Sequence, residues 1–483
     1  MPRQFKNIVL IAGPSLAVFV PFLFDIPDHP KASVMLGIAL WMALWWMSEA
    51  VPLAVTALIP LIVFPLTGIA TAKETAPRYM TGTIFLFMGG FLIAQAMEKT
   101  GLHRRIALWI LSRWHESLVQ IVLGFAGATA FLSMWISNTA TTMLMVTIAL
   151  AVIARLDSQL SKEEMGVFTT TLLLVIAYAA NIGGMGTPVG SPPNLIFIET
   201  MKTVVPEQVP GFLQWMVIGV PMVIGGLAVL YLFLGRHVRK LPWSASAVAP
   251  IKTEAAQLGR MSRVESFVAA VLSLTALAWM TRQGIRGEAF SIPGWSSLLP
   301  HAGVDDGTVA IAAAFLLFVI PLKEDAPLLD VKAFAALPWP ILLLFGGGFA
   351  MAMGMQRSGL SAAIGQQMAF LSHVPPLFMM LGVALVMTFL TEITSNTATT
   401  QVILPILAAV AAGAGHDLTL LLVTATLSAS CAFMLPVATP PNAIVFGSGR
   451  IPMKSMLRAG LTLNFVMAVV VITVVRLVRV LLP

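Results

Sequence analysis

The chain has 483 residues, 58% of them hydrophobic and only 10% charged, with a mean hydropathy of +0.91. A soluble domain carries about a quarter charged residues, so the soluble class is excluded and a polytopic membrane protein is indicated. The +7 net charge, from 28 Lys and Arg against 21 acids, then reads as basic residues gathered in cytoplasmic loops rather than as a nucleic-acid surface.

The first apolar run, 7–24, follows Arg3 and Lys6 as a signal peptide would. It contains Pro14 and Pro21 and leads into "DIPDHPK" rather than a small-residue cleavage site, so it reads as a retained first helix. Spans are predicted at 33–47, 51–69 and 83–97, long enough for a hydrocarbon core of roughly 30 Å. "KTGLHRRIALWILSRW" is basic, amphipathic and tryptophan-bearing, as an interfacial segment is. Short apolar pieces at 119–135 and 141–154 flank the polar hexapeptide "SNTATT" at 137–142. A run at 168–182 enters "GGMGTPVGSPPN", followed by a short piece at 195–199 and a full span at 212–234.

The polar stretch 236–263 divides the chain, and the order then repeats. Spans are predicted at 264–280, 308–322 and 340–355, and pieces at 377–391 and 399–411 flank a second "SNTATT" at 395–400. A run at 420–433 leads into "LPVATPPN", and 459–482 is the last span.

The two halves share a register. Ser137 and Ser395 differ by 258 (395 − 137), and that offset also carries Phe87, Gly89, Gly90 and Phe91 onto Phe345, Gly347, Gly348 and Phe349. It places Gly101-Leu102 on Gly359-Leu360 as well. The Pro-Pro-Asn motifs pair at 248 (442 − 194). A duplication explains this better than chance. If the SNTATT segments are re-entrant hairpins, each half holds five crossings, and an odd number inverts the second half. With the N-terminus inside, about two thirds of the 28 basic residues fall on the inner side. That bias favours eleven crossings and two oppositely facing hairpins.

Backbone that leaves the helical ladder at membrane depth is tolerated only where it is buried in protein or lines a wet cavity. Four such breaks are predicted: the two SNTATT tips and the two proline-rich segments, where Pro-Pro interrupts the helix. Interrupted segments at matching places in two halves point to a transporter's binding site. The hydroxyls and amides of Ser137, Asn138 and Thr139 can donate to a carboxylate, and their oxygens can accept a cation. A helix starting after each tip offers its positive end to an anion. Ser, Thr and Gly clusters also serve simply to pack membrane helices; two matched clusters with two matched breaks favour a site.

Other features are weaker. The seven histidines lack HExxH or similar ligand spacing, and the single Cys431 excludes an internal disulfide and a thiolate metal cluster. "GGMGTPVG" has neither the lysine nor the strand setting of a phosphate loop. Glu49 and Glu392 are acids beside apolar stretches, functional candidates by default, although Glu49 can equally be a helix cap near the interface. No nucleophile–base pair is present, so the chain is not expected to be an enzyme. An ion channel is the competing class.

The paired "SNT" motifs, the "TPVGSPPN" and "ATPPN" breaks and the "SEAVPLAVTALIP" stretch resemble the divalent anion/sodium symporter family over nearly the whole chain. The resemblance implies an all-α polytopic membrane protein of two inverted repeats, with eleven transmembrane helices plus two re-entrant hairpins, working as an elevator-type homodimer. It implies a scaffold of residues 1–115 and 264–372, a transport domain of 116–240 and 373–483, and a cytoplasmic linker at 241–263. Ser137, Asn138, Thr139, Ser395, Asn396 and Thr397, joined by Thr439 and Pro440, would hold substrate carboxylates. One sodium ion would take Ser133, Ser137, Asn138 and Gly186, and a second Thr391, Thr394, Asn396 and Ala438. Position 394 is the least constrained, because such a ligand acts through its backbone carbonyl. The implied activity is sodium-coupled uptake of C4-dicarboxylates across an inner membrane, with a cytoplasmic N-terminus. The family also includes dicarboxylate exchangers and carriers of tricarboxylates and sulfate.

Overall fold

The computed structural model describes residues 3–114, 116–157, 159–242, 249–286, 291–299, 303–323 and 326–479. The end of the last predicted span (480–482) and part of the linker (243–248) lie outside these residues. Among the described residues, ten helices are long and apolar enough to cross a membrane, and five apolar helices are shorter. Ile11, Phe22, Leu66, Ile224, Phe315 and Val469, all on these helices, are exposed, as lipid-facing side chains of a multi-pass membrane protein are. The fold is all-helical as expected, and two loops add short antiparallel ribbons that pair Gly284–Arg286 with Ser291–Pro293 and Pro321–Lys323 with Ala326–Pro327. Ribbons this short satisfy their backbone only between themselves and fit outside the hydrocarbon.

The span predicted at 51–69 is two pieces, Leu53–Thr56 and Ile59–Thr67. Pro52 precedes the first and Pro60 lies in the first turn of the second, where a missing N–H is harmless. The amphipathic segment is the helix Leu102–Leu111, with Gly101 before it in the left-handed region at φ 76°.

Two helical hairpins surround the site: Leu118–Ser133 with Asn138–Leu156, and Pro376–Ile393 with Asn396–Ala414. Each is followed by a broken helix. Lys162–Gly183 gives way to the 3-10 turns Gly184–Gly186 and Pro188–Gly190 before Pro192–Val204. Leu418–Ala429 gives way to irregular backbone before Pro440–Gly447. These elements share one large apolar core. A smaller core joins Ala32–Ser48, Ile59–Thr67 and Trp339–Arg357. Between hairpin and flanking helices, Glu199 of Pro192–Val204 accepts a hydrogen bond from Thr83 (2.5 Å) on Gly82–Thr100, and Lys202 donates to the same hydroxyl (2.8 Å).

Candidate functional site: a cavity between two hairpin tips

Each SNTATT starts a helix. Ser137 and Ser395 are the N-cap residues, in extended conformations (φ −59°, ψ 142° and φ −65°, ψ 130°), and Asn138 and Asn396 are the first helical residues. Serine suits this position because its oxygen takes an otherwise unpaired N–H; Ser137 Oγ accepts from Ala140 N at 3.2 Å. In the first turns, Thr142 donates to the Asn138 carbonyl and Thr400 to the Asn396 carbonyl, both at 2.7 Å.

The asparagine side chains point back to the arm before the tip. Ser133 Oγ lies 2.5 Å from Asn138 Oδ1 and 2.8 Å from the Ala180 carbonyl oxygen. In the second hairpin Thr391 Oγ1 faces Asn396 Oδ1 and, at 3.0 Å, the Ala429 carbonyl oxygen. Each hydroxyl has one proton for two acceptors, so three oxygens crowd together behind each tip. Such a set suits a hard monovalent cation, which takes oxygen ligands.

The breaks are braced alike. Asn194 Nδ2 donates to the Gly184 and Thr187 carbonyls (2.9 and 2.8 Å), and Asn442 Nδ2 donates to those of Ala432 and Leu435 (both 3.0 Å). All three positions match at the offset of 248 (432 − 184, 435 − 187, 442 − 194). The asparagine thus replaces the donors that proline removes from the helix. Gly184 is required sterically, since a Cβ there would meet Asn138 Oδ1 at 2.9 Å.

Hairpin tips and breaks enclose a cavity of about 580 Å³. All eight residues expected to bind substrate line it: Ser137, Asn138 and Thr139, Ser395, Asn396 and Thr397, and Thr439 with Pro440. Of the residues expected to bind sodium, Thr394 and Ala438 also line it, as do the shared Ser137, Asn138 and Asn396. Ser133, Gly186 and Thr391 are buried behind its wall. Four helices begin on this cavity, at Asn138, Pro192, Asn396 and Pro440. Phe87, Phe91, Trp135, Leu344 and Val437 supply apolar wall.

Among the described residues lining it, Glu49 is the one ionisable group. It is not a helix N-cap: it ends Ala32–Ser48 in the left-handed region at φ 49°, ψ 28°. An acid there opposes the negative end of the helix. Glu392, the other flagged acid, is 3% exposed; it braces the second break through three backbone hydrogen bonds and accepts a fourth from Asn464 Nδ2. Sequence reasoning missed Asn181, which lines the cavity and donates to Thr439 Oγ1 (3.1 Å) and the Ala432 carbonyl (3.4 Å). A lone amide in "AYAANIGG" was its only signal.

Broken helices whose ends meet around a cavity are the arrangement in which a membrane transport protein binds its solute between helix ends. The chain belongs to the family described by the sodium:sulfate symporter transmembrane region, whose model matches residues 3–482. A sodium-dependent dicarboxylate transporter of Staphylococcus saprophyticus is 40% identical over 480 residues, 96% of this chain and 90% of that one. Its counterpart in Staphylococcus aureus strain MSSA476 is 39% identical over 479 residues, 97% of this chain and 90% of the other. The crystal structure of the Alcanivorax borkumensis YdaH transporter has a similar fold, with a TM-score of 0.58 at 14% identity over the full length of both chains.

Proposed function

We propose that the protein is a sodium-coupled importer of C4-dicarboxylates such as succinate, malate and fumarate. One observation carries this reading. Four helix N-termini converge on a cavity whose described lining includes no lysine, arginine or histidine. Four helix ends at about half a positive charge each only match a dianion, and Glu49 on the same lining works against them, so a dianion leaving water still lacks full compensation. Co-bound sodium at the two oxygen clusters supplies the balance, one ion using Ser133, Ser137, Asn138 and Gly186 and the other Thr391, Thr394, Asn396 and Ala438. Anion and cation then bind together, which is the basis of coupling. The names of the staphylococcal relatives support the same pairing.

The matched halves support two inverted repeats, with the fifteen apolar helices serving as eleven spans and four hairpin arms. In this reading the unit of 116–240 and 373–483 carries the cavity past a dimeric scaffold of 1–115 and 264–372, in a cell inner membrane with the N-terminus cytoplasmic. Uptake of labelled succinate into proteoliposomes tests the coupling. Uptake with external Na⁺ and little with K⁺ is expected; equal uptake in Na⁺, Li⁺ and K⁺ sinks it. Uptake confined to vesicles preloaded with dicarboxylate makes the protein an exchanger, and non-saturating flux that scales with voltage makes it a channel.

A further inference from the structure

Thr439, just before the second Pro-Pro-Asn break, lines the cavity and is 4% exposed. Its Oγ1 accepts a hydrogen bond from Asn442 N at 3.4 Å, capping Pro440–Gly447, and a second from Asn181 Nδ2 at 3.1 Å. Asn181 is buried in the last turn of Lys162–Gly183, in the other half of the chain. Its amide is oriented by the Ala432 carbonyl oxygen, which lies 3.4 Å from the same nitrogen. A carbonyl only accepts, so the N–H side of the amide faces this corner and its oxygen does not.

A threonine hydroxyl has one proton and two lone pairs. Both lone pairs of Thr439 are taken, and among the described residues nothing accepts its proton. The proton is left for whatever occupies the cavity, so Thr439 meets an occupant only as a donor. Ser191 stands at the matching place in the first break (439 − 248) and is held differently. Its Oγ lies 3.4 Å from Ser430 Oγ, where either hydroxyl can donate, and it takes no N–H from its own helix. That hydroxyl can face an occupant in either sense. No amide holds it as Asn181 holds Thr439, for the counterpart of Asn181 is Ala429 (181 + 248).

We propose that Asn181 is a positioning residue for the substrate: by filling a lone pair of Thr439 it makes that hydroxyl a fixed donor to a substrate carboxylate. A donor of fixed sense favours an anion at this corner over a cation or a neutral solute. Asn181 therefore sets substrate affinity through Thr439 rather than by holding the fold. This inference rests on the dicarboxylate reading above, and its test separates the two.

The test is a double-mutant cycle on uptake of labelled succinate at saturating external Na⁺. The proteoliposomes are loaded with unlabelled succinate, so that symport and exchange both register. Wild type without saturable uptake overturns the dicarboxylate reading and this inference with it. With that uptake present, Asn181→Leu is expected to raise the half-saturating succinate concentration about tenfold at a near wild-type maximal rate. Its Tm should stay close to wild type, because the Ala432 carbonyl keeps its bond from Asn442. Thr439→Val should weaken succinate to a similar degree, and adding Asn181→Leu to it should cost no more than about twofold, since the hydroxyl to be oriented has gone. Equal losses with and without that hydroxyl, or a lower maximal rate at unchanged affinity, mean that Asn181 only braces the two halves and overturn the proposal. Should Asn181→Leu fail to fold, Asn181→Ala takes its place in the same cycle, and the same outcomes decide.

Discussion

The first hairpin and its break (133–138 with 184–194) and the second (391–396 with 432–442) solve one problem in two ways. Both place a hydroxyl between an asparagine Oδ1 and a carbonyl, and both brace the break with an asparagine amide. They differ in what ties arm to break: Thr187 to a carbonyl in one, Glu392 to three N–H groups in the other. They differ also beside the tip, where Thr394 and Thr399 share a hydrogen bond of 2.5 Å. Ile136 stands at the matching place in the first hairpin, and the buried Thr141 hydroxyl finds no partner there. What recurs is the asparagine and hydroxyl geometry of tip and break; what varies is the tie behind it and one pair on the cavity wall, Ile136 against Thr394.

The comparison breaks most visibly at the shared asparagines. Asn138→Ala and Asn396→Ala each remove a cavity-lining amide and the acceptor of the cluster hydroxyl. Hydrogen bonds to charged groups contribute about 1.5–3 kcal/mol, so uptake at fixed sodium should fall roughly 10- to 100-fold. Sodium affinity should fall with it in both mutants. Sodium titration of succinate uptake checks this, and wild-type sodium dependence in either mutant removes that asparagine from its cluster.

Next come the braces. Asn194→Ala and Asn442→Ala each leave two buried carbonyls unpaired, at about 1–3 kcal/mol per group. Because the bonds match in number and length, the two losses of thermal stability should agree closely. A loss confined to one mutant means that the two breaks are not supported alike. Both Oδ1 atoms are buried without a partner among the described residues, so the amide N–H groups are the part whose removal is felt.

The cluster hydroxyls give a smaller, more specific effect. Ser133→Ala and Thr391→Val should each weaken sodium activation by about tenfold, the equivalent of one hydrogen bond of ~1.4 kcal/mol. Ser133→Thr and Thr391→Ser exchange the two natural solutions and should stay within about threefold, since the oxygen is kept and only a methyl changes. Sodium activation curves for all four distinguish an oxygen ligand from a packing group.

Much of this comparison is legible in the sequence, for a physical reason. Polar residues in a membrane segment are unfavourable, so "SNTATT" stands out once and convinces when repeated in register with glycines. The proline motifs announce the breaks because Pro-Pro cannot continue a helix. What stayed hidden has no repeated letter. Asn181 corresponds to Ala429 at the break's offset, so no doubling marks it. Three of the donors to Glu392 are backbone N–H groups, which residue identity does not reveal. The split at 51–69 was missed because mean hydropathy does not register that Pro60 starts a helix rather than interrupting one.

The smallest expected effect concerns the neutral tie. Thr187 Oγ1 donates to the Met134 carbonyl at 2.6 Å and accepts from Gly190 N at 3.1 Å, so it joins the hairpin arm to the first break and caps its second turn. Thr187→Val keeps the shape and deletes both bonds, a loss of about 1–3 kcal/mol in stability. No charge is removed, so sodium activation should shift by no more than about threefold. Sodium activation of Thr187→Val beside Ser133→Ala checks this, and a shift as large as the serine mutant's means that the tie holds the cation cluster as well as the fold.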